Sequence, residues 1–280
     1  MTRSRLYRLG AAVAAATALL TASACAPGPS GGGAPAAPTN QVSKDVASAG
    51  PVTLAVWDQN TDGGMVKAQE QLNAEFEKTS ASRIVQWAAD SFGPHLALAA
   101  SMTDAVLIDL AVKVAPAIEV VFIDTGYHFP ETLETVETVR RRYGLNLRIM
   151  TVATHAPELW KVDPENCCSA VKVGQLDRAL AGKAAWMSGL RRDEAETRAN
   201  APIVTRDLRG LIKVNPLATW TAADVDDYIE RHDVPVNPLI HQGYPSIGCM
   251  PCTEKVAPGE DPRSGRWKGR GKTECGLHPG

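Results

Sequence analysis

His95-Leu96-Ala97-Leu98-Ala99-Ala100-Ser101-Met102-Thr103-Asp104-Ala105-Val106-Leu107-Ile108 is the stretch on which the reading of the fold turns. An apolar run of strand length, His95 to Ala100, gives way at once to a polar turn, Ser101 to Asp104. An apolar helix to Val114 follows. Strand, polar turn and helix in that order aim backbone N–H groups and the positive end of a helix dipole at one point, which suits an anion. A buried helix with a Ser/Thr/Asp cap is written in the same letters. The rest of the chain has to choose between the two.

Downstream, the pattern repeats. Ile118 to Ile123 is a second buried strand, ending in Asp124-Thr125-Gly126-Tyr127, and Pro130-Glu131 opens a helix through Tyr143. Leu147 to Val152 reads as a third strand, Trp186 to Leu190 as a fourth and Leu211 to Val214 as a fifth. Thr221 to Arg231 is a helix with Thr221 as N-cap and Asp224 three residues on. Strands alternating with helices at this spacing predict an α/β fold, a parallel sheet covered by helices on both faces. Such sheets bind ligands at the carboxyl ends of their strands, where Ser101, Asp124 and Gly189 fall.

Composition restricts the function. The chain has 280 residues, 44% hydrophobic and 21% charged, with a net charge of −2. That is an ordinary globular balance, with no overall field to attract nucleic acid. Charge is local instead: Arg263, Arg266, Lys268, Arg270 and Lys272 fall in ten residues without an acid, a patch suited to a small anion. Just beyond it stands Cys275. Nearby positive charge favours the thiolate, the reactive form of cysteine, and flanking glycines suit a mobile tail, 253–280, that carries a nucleophile.

The six cysteines stand at 25, 167, 168, 249, 252 and 275. One adjacent pair and one Cys-x-x-Cys do not resemble the spread framework of a small disulfide-rich domain, and read better as metal ligation or redox chemistry. Four thiolates suit a tetrahedral zinc or a cubane iron–sulfur cluster. Side chains at i and i+1 diverge around a helix, so adjacent cysteines suit a cluster with separated metal corners better than one ion.

Residues 1–25 carry the marks of an export signal: Arg3, Arg5 and Arg8, an apolar run from Ala11 to Leu20, then Ala22-Ser23-Ala24 before Cys25. Cys25 in that setting resembles a lipidated residue. Residues 26–51, rich in Pro, Gly and Ala, read as a disordered tether. Residues 52–81 resemble the opening strand (Val52 to Trp57) and helix (Met65 to Lys78) of an exported solute-binding lipoprotein of an ABC importer. That resemblance spans only one βα unit, too little for a binding cleft.

Several stretches together carry a more specific resemblance: Asp124-Thr125-Gly126-Tyr127-His128-Phe129-Pro130-Glu131-Thr132, Cys167-Cys168, Gly189-Leu190-Arg191-Arg192, Tyr244-Pro245-Ser246-Ile247-Gly248-Cys249, Cys252 and Glu274-Cys275-Gly276-Leu277-His278. From about Ser82 to His278 the chain resembles the assimilatory sulfonucleotide reductases, the adenylyl-sulfate (APS) and phosphoadenylyl-sulfate (PAPS) reductases. The resemblance implies an adenine nucleotide alpha-hydrolase-like sheet over residues 82–252. Members with both cysteine pairs resemble [4Fe–4S] enzymes that prefer APS, so APS is implied here. It further implies Cys167, Cys168, Cys249 and Cys252 as cluster ligands and Cys275 as nucleophile. Ser101, Lys172, Arg198, Arg263 and Arg266 would hold the phosphosulfate, and Gly189 would let adenosine approach the backbone. Thioredoxin would be the reductant, AMP and sulfite the products, and sulfate assimilation towards cysteine the setting.

Two features depart from the family. Ala100 stands where a serine is usual, removing a hydroxyl from the anion-facing turn. The leader points outward, whereas iron–sulfur chemistry and thioredoxin belong to a reducing cytoplasm. PAPS reduction, or a tethered nucleotide-binding lipoprotein without reductase activity, are the competing expectations.

Overall fold

The computed structural model describes residues 62–152, 158–267 and 274. The leader, the tether and the strand expected at 52–57 lie outside them. Two helices, α1 (Asp62–Phe76) and α2 (Ala81–Phe92), precede β1 (Leu96–Ala100). There follow α3 (Val106–Val114), β2 (Glu119–Asp124), α4 (Pro130–Tyr143) and β3 (Asn146–Thr151). Short helices α5 (Leu159–Val162) and α6 (Pro164–Asn166) lead to α7 (Lys172–Ala179) and β4 (Ala185–Ser188). Strands β5 (Val204–Arg206) and β6 (Ile212–Val214) and helix α8 (Ala222–His232) complete the regular elements.

The sheet has six strands in the order β3-β2-β1-β4-β6-β5. All neighbours are parallel except β5, which runs antiparallel to β6 at the edge. That strand is not foreseen in the sequence, because three residues are too few to show a period. From β1 the chain goes to β2 on one side and later to β4 on the other. The gap beyond the carboxyl ends of β1 and β4 is therefore the switch point, where ligands bind in doubly wound sheets.

Alternation along the strands builds a core on each face. Leu96 and Leu98, Val120 and Phe122, and Ala185 and Met187 point into a large cluster shared with α2, α3, α4 and α8. Ala97, Val121, Ile123 and Trp186 point the other way, against Leu176, Ala179 and Leu180 of the α7 segment. A two-residue period with both faces apolar leaves no polar side, which is why these strands read as continuous apolar runs. Helix α4 ends where Gly144 takes φ 58°, a left-handed cap that a side chain would strain. Thr221 and Asp224 form the expected reciprocal cap on α8.

Two segments at the expected boundaries have described contacts. Helix α1, within the expected 52–81 fragment, groups with the residues that follow it. Asn73 is bonded on both sides to the backbone of Val204 in β5, with Nδ2 donating to its carbonyl and Oδ1 accepting from its N–H, each at 2.8 Å. Phe76 is buried with its ring edge-on to Trp87, 5.1 Å between centroids. The segment expected to begin a mobile tail is likewise folded as far as Trp267. Thr253 pairs with Arg266 in an antiparallel bridge, and the Trp267 N–H donates to the Cys252 carbonyl at 3.1 Å.

Candidate active site

At the switch point, Ser101 closes β1 and Gly189 follows β4, both exposed. The Ser101 hydroxyl lies 3.3 Å from that of Thr103. A Cβ on Gly189 would meet nothing within 4 Å, so the protein's own packing does not require glycine there. Asp104 accepts the N–H of Val106 at 3.0 Å and turns the chain into α3.

Next along the same edge lies the pocket that holds the cysteines. Cys167, Cys168, Cys249 and Cys252 all line it, together with Lys172, Thr125, Tyr127, Trp160, Arg266 and Trp267. All four cysteines are thiols, not half-cystines. Cys167 and Cys168 sit on a π-helical turn, Cys167–Val171, directly before α7. Such wide turns inside helices are frequent at functional sites.

The second pair is carried by a loop tied down at several points. The Met250 N–H donates to the Tyr127 carbonyl at 2.7 Å. Thr253 Oγ1 accepts from the Gly248 N–H at 3.2 Å and donates to the Cys249 carbonyl at 2.9 Å. Beneath it, Phe129, Leu239 and Ile247 form a small apolar cluster that seats the loop on the end of β2. Thr125 Oγ1 lies 3.2 Å from Cys249 Sγ.

Burial, and then the neighbouring thiols of Cys168, Cys249 and Cys252, push the Cys167 thiol up to about 11; Lys172 works against them. Crowding of this kind makes the four thiolates jointly unfavourable unless a cation takes them. Among the described residues no three His, Cys, Asp or Glu side chains gather closely enough to hold one metal ion. A tetrahedral zinc at about 2.3 Å from each sulfur would need sulfurs about 4 Å apart. Four thiols lining one pocket are a donor set suited to a thiolate-bound metal or cluster.

Arg266, expected to hold the phosphosulfate, is tied to the cysteine loop. Its Nη1 donates to Ser246 Oγ and to the Ile247 carbonyl, both at 3.2 Å, and its guanidinium lies 4.3 Å from the centre of the Trp267 ring. A Cβ on Gly248 would stand 2.3 Å from Arg266 Nη2, so glycine is what lets this side chain pass under the cysteine loop. Arg263 lies against the same Trp267 ring, 5.7 Å from its centre, and reaches the other way.

There it meets Glu274. Arg198 holds Glu274 through two parallel bonds, Nε to Oε1 at 2.8 Å and Nη2 to Oε2 at 2.7 Å. Arg263 Nη2 adds a third at 3.1 Å and Thr197 Oγ1 a fourth at 3.1 Å. Arg198 also pairs with Glu194. Burial raises the Glu274 carboxyl, but the bonds and charge of Arg198 and then Arg263 overcome it and hold the group below its ordinary range. Arg198 and Arg263, expected to hold the phosphosulfate, both donate to Glu274. Cys275, the expected nucleophile, lies outside the described residues.

Sequence reasoning left Thr125, Tyr127, Trp267, Thr197 and Glu274 without roles. Thr125, Tyr127 and Glu274 stand inside the quoted motifs, so a signal was present. Trp267 and Thr197 had none, because only folding brings them to the site.

A doubly wound sheet with a cysteine pocket and arginines beyond its carboxyl edge defines a nucleotide-binding α/β protein built around thiol chemistry. Residues 94–255 match the model of the phosphoadenosine phosphosulfate reductase domain, and the chain belongs to that family. It is 45% identical over 233 residues to the adenosine 5'-phosphosulfate reductase of Streptomyces coelicolor, covering 80% of this chain and 99% of that one. A protein of the same name from Mycolicibacterium smegmatis is 45% identical, covering 78% and 97%. Among solved structures, the phosphoadenylyl-sulfate (PAPS) reductase of Candida auris aligns at TM-score 0.60 and 29% identity, covering 68% of this chain and 97% of that one. FMN adenylyltransferase of Candida glabrata, at 13% identity and TM-score 0.50, shares the fold alone; it covers 68% of this chain and 73% of its own.

Proposed function

We propose that the chain reduces adenylyl sulfate to sulfite and AMP, with electrons from a thioredoxin-type dithiol. The observation that supports this reading is the pair of cysteine segments around one pocket, with Lys172 and Arg266 in its wall and Glu274 bonded to Arg198. The shared name of the relatives from Streptomyces and Mycolicibacterium supports APS as the substrate.

In this reading Cys167, Cys168, Cys249 and Cys252 hold a [4Fe–4S] cluster, which supplies charge and geometry when bound. Ser101 and the amides after β1 receive the nucleotide's anions, and the open space over Gly189 receives adenosine. Lys172 offsets the charge of the crowded sulfate oxygens. The Cys275 thiolate attacks the sulfate sulfur; an S–S bond forms, the S–O bond to AMP breaks, and AMP leaves. One thiolate of the reduced partner then attacks Cys275 Sγ, expelling sulfite and leaving a mixed disulfide. The partner's second thiol resolves it, taking both oxidising equivalents and freeing Cys275. This chemistry belongs to a reducing compartment, so the catalytic residues work in the cytoplasm. No helix among the described residues is long and apolar enough to cross a membrane.

The test is anaerobic purification, followed by assay of iron, sulfide and thioredoxin-dependent sulfite release, with Cys275→Ser alongside. The wild type should carry about four irons per chain and release sulfite from APS in preference to PAPS, and the variant should release none. Colourless protein, or full turnover by Cys275→Ser, rejects the reading.

A further inference from the structure

The turn that joins β1 to α3 is held in an uncommon form. Met102 has φ 61°, in the left-handed region, where a residue with a Cβ meets a steric cost. Its side chain is buried in the large core cluster, which grips the turn from within. The segment after α8 grips its backbone. The Asn237 N–H donates to the Thr103 carbonyl at 3.0 Å and the Ala105 N–H to the Pro235 carbonyl at 3.1 Å, making an antiparallel bridge of Asp104 with Val236. Asn237 itself is fully buried. Its Nδ2 donates to the Met102 carbonyl at 3.4 Å and to Thr132 Oγ1 of α4 at 3.0 Å, and its Oδ1 accepts from the Leu239 N–H at 3.1 Å.

These bonds decide where the turn's own donors point. In a planar trans peptide the N–H lies opposite the carbonyl of the same unit. With the Met102 and Thr103 carbonyls turned to Asn237, the N–H groups of Thr103 and Asp104 are turned away from it. Ser101, exposed at the end of β1, opens the same turn. Leu239, bonded to the Asn237 amide, belongs to the small cluster that seats the cysteine loop. One buried amide therefore joins the turn, α4 and that seat.

We infer that Asn237 is a positioning residue for the nucleotide's phosphate: it holds the Met102–Asp104 turn in the form that presents the Thr103 and Asp104 N–H groups beside Ser101. The inference deepens the activity reading above and rests on it for the identity of the nucleotide. Its effect falls on the charged group, since adenosine is received apart from the turn, over Gly189.

The full chain, prepared anaerobically with its cluster, tests this by calorimetric titration with AMP and with adenosine, which differ only in the phosphate. Asn237→Ser keeps an oxygen for the Leu239 N–H but cannot span Met102 and Thr132. Thr132→Val removes one acceptor of the amide, and Thr132→Ser keeps it. AMP affinity should fall about tenfold in Asn237→Ser and about threefold in Thr132→Val, as expected for misplaced hydrogen bonds to an anion. Thr132→Ser should match wild type, and adenosine affinity should stay within about twofold in all three. KM for APS should rise in step with the loss of AMP affinity, while kcat changes by less than about threefold. A general loosening of the site would weaken both ligands together, so equal losses for AMP and adenosine overturn the inference. So does wild-type AMP affinity in Asn237→Ser, or a wild type that binds AMP no better than adenosine. Should Asn237→Ser fail to fold, Thr132→Val carries the same decision. A wild type that prefers AMP as expected yet releases no sulfite from APS sinks the activity reading and leaves the positioning role standing.

Discussion

Gly248 shows how one absent atom fixes a site. Its missing Cβ is the space through which Arg266 reaches Ser246 and the Ile247 carbonyl, and stacking on Trp267 leaves that guanidinium little room to retreat. Gly248→Ala should therefore cost about 1–3 kcal/mol, as overpacking does, measured by urea unfolding. In the proposed cluster enzyme it should also lower iron retained per chain, because the same loop carries Cys249 and Cys252. Arg266→Lys should not restore the wild-type loop, since an ammonium cannot make the planar contact with Trp267 and both hydrogen bonds at once.

At the scale of elements, α3 and α8 are joined by a buried polar link across an otherwise apolar contact. Tyr228 Oη donates to Asp109 Oδ2 at 2.7 Å, and Lys113 Nζ lies 2.6 Å from the same oxygen. Burial raises the Asp109 carboxyl, yet the bonds from Lys113 and Tyr228 prevail and hold it below its ordinary range. A carboxyl whose folded pKa is depressed stabilises the fold above its unfolded pKa, about 3.9, and loses that contribution as pH falls through the folded value. Asp109→Asn should therefore flatten the loss of stability below about pH 4. Tyr228→Phe should cost about 1–3 kcal/mol near neutrality by leaving Asp109 short of a donor. Chemical denaturation across pH reads both; equal acid slopes in Asp109→Asn and wild type would refute the assignment.

For the molecule as a whole, α1 ties the described unit together at three distant places. It reaches the antiparallel edge through Asn73, the core through Phe76, and the loop after β4 through Glu77, which pairs with Arg192 at 2.6 and 2.9 Å. A chain starting at residue 82 should melt several degrees lower than one starting at residue 50, as a loss of about 2–4 kcal/mol predicts. Asn73→Ala should account for about 1–3 kcal/mol of this by stranding both polar groups of Val204. Circular dichroism melts of the three proteins decide it; coincident curves would show that α1 adds nothing to the unit's stability.

The alternation of apolar runs with capped helices determined the parallel sheet from sequence alone. Each face of each strand and each helix end answers to its own few neighbours in the chain. The spacing of the two close cysteine pairs likewise singled out four residues that line one pocket. Only the tertiary structure decided the antiparallel β5, the membership of α1 in the main core, and the folding of residues 253–267. It alone also gave Arg266 to the cysteine loop, and Arg198 and Arg263 to Glu274. In each of these cases the deciding partner is distant in the chain: Asn73 is 131 residues from Val204, and Arg198 is 76 from Glu274. Local pattern holds no record of such pairs. A guanidinium looks the same in sequence whether it awaits a substrate or already holds a carboxylate, and only the packing that brings Glu274 within hydrogen-bond reach tells the two apart.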